Sequence, residues 1–276
     1  MAGVKRALCV GINKYKNFPS AELHGCVNDV MDMQAILTKY WGLAKEDVVE
    51  LIDEDATKSD IMKNLEEMVN GAKAGKYTKL FFTLSSHGTQ VPDVDGDEPD
   101  RADEAFCPHD LAQKGDEWDP AHVITDDELH DLFVQLPENV ELEAFFDTCH
   151  SGDGLRAIDF LMTRKPRYLP PPSLKAFEKI EDRRKRGVGR LFLERGLTNH
   201  ILWSACRPDQ TSADAKIGPS WHGAFTYYLV KNIDKSQNKL TRPELVAKVR
   251  NDLNKDRYSQ VPQLDLEATR RKTTIS

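Results

Sequence analysis

Cysteine is scarce in this sequence: five residues in 276, Cys9, Cys26, Cys107, Cys149 and Cys206, an odd number, widely spaced and with no CxxC pair. That pattern signals neither a disulfide framework nor a cysteine-rich zinc site, and it fits a reducing compartment. Long apolar runs are missing as well. No stretch approaches the roughly 20 residues that span a bilayer, and the first residues lack the apolar core of a signal peptide. A membrane is therefore not expected as a partner, the mature chain is expected to begin near Met1, and a cytoplasmic location follows. An excess of positive charge is absent too. Lys and Arg number 38 against 45 Asp and Glu, a net charge of −7, so nothing attracts nucleic acid or anionic lipid in general. No internal repeat suggests a solenoid.

What is present is the composition of an ordinary globular protein, 39% apolar and 30% charged, with enough apolar residues for one sizeable core. The length is compatible with a single large domain over residues 1–276. Five β-prone runs stand out: Arg6–Ile12, Asp47–Ile52, Lys79–Leu84, Glu141–Phe146 and His200–Ser204. Their near-continuous apolar character predicts strands buried on both faces. Between them, Val30, Met33, Ile36, Leu37 and Tyr40 share one helical face, as do Ile61, Met62, Leu65, Met68 and Val69. Thr125-Asp-Asp-Glu128 reads as a capping box opening a third helix, with Pro137 as its end, and Ala224–Ile233 reads as a later one. This alternation predicts an α/β fold, a central, mainly parallel β-sheet flanked by helices on both faces. Residues 155–190 contain Pro166, Pro170, Pro171, Pro172 and the basic run Arg183–Arg186. They read as an exposed insertion between a part spanning 1–154 and a part spanning 191–276.

Open parallel sheets place ligands beyond the carboxyl ends of their strands, so the residues just after each apolar run carry the chemistry. The third run leads into Ser85-Ser86-His87-Gly88, the fourth into Asp147-Thr148-Cys149-His150, and the last into Ser204-Ala205-Cys206-Arg207. A thiol becomes a useful nucleophile when an imidazole takes its proton or protonates the leaving group. His87 and Cys149 suit those roles, and the amides of Gly88 and Cys149 suit the stabilisation of an oxyanion. Taken singly, a buried Cys or His is more often a packing residue. His150 is a rival base, but neighbours on an extended segment point in opposite directions, so it is expected to face away. Cys9, Cys107 and Cys206 read as packing residues.

The segments Phe82–Gln90 (FTLSSHGTQ), Asp93–Asp110 (DVDGDEPDRADEAFCPHD), Phe146–Gly152 (FDTCHSG) and Ser204–Ala213 (SACRPDQTSA) resemble, in order and spacing, the signature blocks of metacaspases. Ala7–Asp29 resembles that family as well, so the likeness covers nearly the whole chain outside the insertion. Without a long proline-rich segment before Val4, the sequence resembles the compact prokaryotic-type members. Leu84 and Ser86 depart from the tyrosine and glycine usual before the family's histidine. The caspase signature QAC followed by Arg, Gln or Gly is absent around Cys149.

The resemblance implies a caspase-like (caspase-hemoglobinase) fold and a monomeric cysteine endopeptidase acting on protein or peptide substrates with Arg or Lys before the scissile bond. It places Cys26, Asp29, Ser85 and Asp147 in the primary specificity pocket. The residue pattern agrees: Asp147 shares a side with Cys149, Ser85 with His87, and Asp29 opens the first helix near the same rim. No cofactor is expected to be required. Calcium enters at most as a modest activator, with Asp103, Asp126 and Asp127 as the matching carboxylates; Arg156 stands where the family has a further aspartate. The acidic stretch from Asp93 is no EF-hand, since its sixth position is Glu98 rather than Gly. Self-cleavage is expected within Leu155–Arg190, at Lys165, Arg167, Lys179 or the Arg183–Arg186 run. The alternative is a catalytically silent caspase-like module that binds proteins.

Overall fold

The computed structural model describes residues 4–92, 102–150, 164–180, 200–266 and 273–275. In chain order its strands begin with β1 (Lys5–Gly11), β2 (Val48–Ile52), β3 (Lys79–Ser85), β4 (Gly88–Pro92) and β5 (Ala102–Phe106). The short β6 (Gln113–Lys114), β7 (Glu117–Trp118) and β8 (Ile124–Thr125) precede β9 (Glu141–Asp147) and β10 (Arg164–Pro166). The last four are β11 (His200–Ser204), β12 (Ala213–Ile217), β13 (Ser220–Gly223) and β14 (Gln263–Leu266). The helices are α1 (Cys26–Trp41), α2 (Lys58–Lys73), α3 (Asp126–Phe133), α4 (Leu174–Ile180), α5 (Ala224–Ser236) and α6 (Arg242–Lys255).

Six strands form one sheet in the order β14, β11, β9, β3, β1, β2. The five expected from the apolar runs all pair in parallel, and β14 adds an antiparallel edge. Alternate residues of each strand project to opposite faces. On one face Leu8, Val10, Leu80, Phe82 and Leu142 join the core of α2 and α3, including Ile61, Leu65, Leu129 and Phe133. On the other, Ala7, Cys9, Phe81, Phe145 and Trp203 join Val30, Met33 and Leu37 of α1, Phe225 and Leu229 of α5 and Val249 of α6. Burial on both sides is why β3 reads as a near-continuous apolar run. Each fully buried Leu or Phe there contributes about 1.5–3 kcal/mol. Trp41 stacks on Phe81 at 5.1 Å between ring centroids, and Phe145 on Trp203 at 5.7 Å.

The antiparallel sheets β4-β5-β8 and β10-β12-β13 lie outside this frame. Helix α6 is tied to the main sheet by Arg242, whose guanidinium pairs with the fully buried Glu143 of β9 at 2.7 Å and 2.9 Å. Helix α3 begins with the expected Thr125–Glu128 capping box. It ends at Phe133 rather than near Pro137: the Val134 N–H turns back to the carbonyls of His130 and Leu132, and single turns carry the chain onward. Within 155–190 the expected exposure holds at Leu174 and Phe177, 82% and 40% exposed, and is corrected at two arginines. Arg164 and Arg167 are 5% and 0% exposed, because β10 pairs with β12 and buried acids receive the guanidinium of Arg167. The Arg183–Arg186 run lies outside the described residues.

Candidate active site

Strands β3 and β9 are neighbours in parallel register, with Ser85 opposite Asp147. His87 and Cys149 therefore stand equally far beyond the two strand ends, side by side on the carboxyl rim. His87 is buried, and its Nε2 lies 2.8 Å from the Ala21 carbonyl oxygen. A carbonyl only accepts, so Nε2 carries the proton and Nδ1, which has no hydrogen-bond partner among the described residues, is the basic nitrogen. Burial lowers His87 to about 4, and the ring is neutral at pH 7. Its backbone N–H donates to the Tyr15 hydroxyl at 2.8 Å. The Cys149 thiol donates to the Gln210 carbonyl at 2.5 Å.

The amides of Gly88 and Cys149 converge on a single acceptor, the carbonyl oxygen of Arg167, at 3.0 Å and 3.2 Å. Gly88 is required by this approach. A Cβ at that position would lie 2.1 Å from the Cys149 carbonyl oxygen and 2.9 Å from Nδ1 of His150. The chain around Arg167 lies across the rim as an added strand. Residues 164–166 pair antiparallel with β12, the Arg167 N–H donates to the Ser212 carbonyl at 3.0 Å, and the Leu169 N–H donates to the Gly88 carbonyl at 2.9 Å.

The guanidinium of Arg167 fills an acidic pocket. Its Nη2 donates to Oδ2 of Asp29 at 2.7 Å and Oδ1 of Asp214 at 3.0 Å. Its Nη1 donates to the Asp147 carbonyl at 3.0 Å and lies 3.4 Å from Oδ1 of Asp147. The carboxylates are themselves held in place. Asp147 accepts from the Ser212 hydroxyl and from the amide and hydroxyl of Thr226, Asp29 from the Gly223 amide, and Asp214 from the amides of His24 and Gly25. Gly223 forms one wall, where a Cβ would lie 2.1 Å from Oδ2 of Asp147. Burial pushes Asp29 up to about 7, against the opposing pull of Arg167. Burial also acts to discharge Arg167, but Asp147, Cys26, Asp29 and Asp214 outweigh it and hold the guanidinium charged.

Of the residues expected in the pocket, Asp29 and Asp147 touch the guanidinium. Cys26 is buried, its thiol pushed well up by burial and near enough for Arg167 to oppose that shift. Ser85 is buried at the end of β3, opposite Asp147. Asp214, the third acid, was missed. It follows the block Ser204–Ala213 directly, and an isolated Asp between two alanines carries no sequence signal of its own. Cys206 reads as packing in the sequence, yet its thiol shares the Gln210 carbonyl with Cys149, at 3.4 Å. Hydrogen bonding with Cys149, then burial, pushes the Cys206 thiol well up. His150 faces elsewhere, as the alternation predicts: its Nδ1 meets the carbonyls of Ala105 and Thr89 at 3.1 Å and 3.3 Å, and its ring packs edge-on against Phe106.

The carboxylates matched to calcium by the resemblance lie on neighbouring elements. Asp103 lies on β5, and Asp126 and Asp127 open α3 just beyond the Ala105–Thr125 pairing. Among the described residues no group of three or more His, Cys, Asp or Glu is placed to hold a metal ion. Nor is any described helix long and apolar enough to cross a membrane.

The architecture matches solved structures over almost its whole length. A Geobacter sulfurreducens protein superposes with a TM-score of 0.65 at 22% identity, covering 94% of this chain and 92% of that one. Caspase-1 from Spodoptera frugiperda does so with a TM-score of 0.61 at 11% identity, covering 95% and 86%. The fold is thus caspase-like. In sequence, the family model for the metacaspase peptidase C14 domain matches residues 5–158. Metacaspase-1A of Aspergillus fumigatus is 32% identical over 95% of this chain and 68% of its own length. Metacaspase-1 of Emericella nidulans is 30% identical over 95% and 70%. The chain belongs to the metacaspase family of cysteine peptidases.

Proposed function

We propose that this protein is a cysteine endopeptidase that cleaves after Arg or Lys through Cys149 and His87, and that its first substrate is its own Arg167–Tyr168 bond. The observation supporting this is the placement of Arg167: the carbonyl oxygen lies between two backbone amides while the guanidinium lies among three carboxylates. Such a placement is what a bound substrate requires, with the acyl carbon beside the nucleophile and the preceding side chain in its pocket.

The chemistry follows from these positions. His87 takes the thiol proton on Nδ1, and Cys149 Sγ attacks the Arg167 carbonyl carbon. The C–S bond forms, and the electron pair of the C=O bond moves to the oxygen, where the Gly88 and Cys149 amides stabilise it. Collapse breaks the bond to the Tyr168 nitrogen, which receives the proton from His87. Water then hydrolyses the thioester, releasing the Arg167 carboxyl group and restoring the thiol. Departure of residues 164–167 opens the same pocket to other chains. Arg is favoured over Lys because its planar fork engages two acceptors together.

The test is mass spectrometry of stored wild-type protein beside Cys149→Ala. Fragments ending at Arg167 and beginning at Tyr168, in the wild type alone, are the expected result. Wild-type protein that stays intact while hydrolysing peptides, or identical fragments in both samples, would overturn self-cleavage at this bond.

A further inference from the structure

The strand that carries Arg167 holds a second buried guanidinium, and its surroundings form a site of their own. Arg164 lies three residues before Arg167 and is 5% exposed. Its Nη1 and Nη2 donate, each at 2.9 Å, to the backbone carbonyls of Arg257 and Asp256. Those carbonyls stand just past the end of α6, where the helix leaves acceptors unsatisfied and the negative end of its dipole attracts a cation. The guanidinium carbon also sits 3.7 Å from the centroid of the Tyr258 ring, a stacked cation–π arrangement.

The wall is built rather than incidental. The Tyr258 N–H bonds to the Leu253 carbonyl, and Arg257 adopts a left-handed φ of 61°, which turns the chain so that both carbonyls face the strand. Tyr228 packs edge-on against Tyr258 and hydrogen-bonds Asp256 through its hydroxyl. Arg242 fixes the helix itself against the sheet through Glu143. Among the described residues Lys165 and Pro166 meet nothing comparable; Lys165 reaches the Glu22 carbonyl and His24 at 3.0 Å from a half-exposed position.

We propose that Tyr258 and the carbonyls of Asp256 and Arg257 form a second specificity site, selecting substrates with arginine three residues before the arginine that is cleaved. This rests on the reading of Arg167 as the residue before the scissile bond. The site's chemistry distinguishes Arg from Lys. Two forked donors and a flat face meet two carbonyls and a ring together, whereas an ammonium presents one point charge. The preferred substrates are thus basic extended segments of the form Arg-x-x-Arg.

The test measures kcat/KM on the self-processed enzyme for three reporter peptides, Arg-Lys-Pro-Arg, Lys-Lys-Pro-Arg and Ala-Lys-Pro-Arg. Turnover of the first is expected to exceed that of the third about tenfold or more, through KM, with the Lys peptide much nearer the Ala peptide. Tyr258→Leu is expected to reduce the Arg-to-Ala ratio severalfold. Equal turnover of all three peptides by the wild type, or a ratio unaltered in a folded Tyr258→Leu enzyme, would overturn the proposal. The last residue is constant throughout, so failure here leaves the primary preference standing. Failure of that preference shows separately, as equal turnover of Arg-Lys-Pro-Arg and Arg-Lys-Pro-Ala.

Discussion

Removing the guanidinium of Arg167 should destabilise the uncleaved chain strongly, and more so as pH rises. In the Cys149→Ala background, which cannot process itself, Arg167→Ala takes the only cation in contact with Asp29, Asp214 and Asp147 among the described residues. Breaking a buried ion pair from one side typically costs about 3–5 kcal/mol. Two responses lower that figure here. The 164–169 segment can lift away so that water reaches the carboxylates, and the carboxylates can take up protons. We therefore expect a loss of about 3 kcal/mol at pH 8.

The sign of the pH dependence follows from Asp29. Its folded-state value is raised to about 7 from the ordinary 3.8 even with Arg167 in place. The native state then binds the proton more tightly than the unfolded state, and this contribution is lost as pH rises from about 4 through about 7. Without Arg167 the folded value moves further up, so the gap between the proteins narrows at low pH, to about 1 kcal/mol at pH 5. Urea unfolding of Cys149→Ala and Cys149→Ala/Arg167→Ala at pH 5 and pH 8 reads both quantities. A loss below about 0.5 kcal/mol at pH 8, or a gap that does not shrink at pH 5, would refute the reasoning.

Other consequences concern catalysis. Cys149→Ala should abolish peptide hydrolysis and His87→Ala should lower kcat by about 10²–10⁴-fold, with both proteins folded by circular dichroism; wild-type turnover by either contradicts the assignment. Gly88→Ala should lose nearly as much, since its Cβ meets the Cys149 carbonyl at 2.1 Å, and an active Gly88→Ala enzyme would remove the amide cradle from the mechanism. For peptides ending in Arg, KM should fall as pH rises beyond about 7, since Asp29 stands at about 7 with Arg167 in place and higher in the open pocket. Asp29→Asn should flatten that profile, and an unchanged profile would exclude Asp29 as its source. Calcium should activate modestly at most; activity undetectable in chelator and restored by millimolar calcium contradicts this.

The main sheet was legible because buried parallel strands such as KLFFTLS announce themselves by near-continuous apolar character. The rim followed from the sheet and singled out His87 and Cys149, while Asp29 and Asp147 came with the resemblance to metacaspases, with which the alternation along the strands agrees. Strands β12 and β13 were not legible. Their sequences, ADAKI and SWHG, are short and carry no β-branched run, and they form because β12 pairs with β10 on one side and β13 on the other. The burial of Arg164 and Arg167 was hidden for a related reason. A proline-rich, basic segment reads as exposed when its acidic partners lie 47 and 138 residues away in the chain. Asp214 escaped notice because its role exists only in that long-range pairing. Cys206 stands at a strand end that the sequence singles out, but its link to Cys149 was hidden because the shared Gln210 carbonyl belongs to a loop, which periodicity does not describe.

The central claim is that the acidic pocket selects the residue before the scissile bond. Its most direct test is kcat/KM for four reporter peptides identical except for Arg, Lys, Asp or Ala at that position, measured on wild-type enzyme. The account predicts Arg first, Lys second, and both at least about a hundredfold above Ala and Asp, as desolvated charge pairs imply. Cleavage after Asp comparable to that after Arg, or equal turnover of the Arg and Ala peptides, would contradict it.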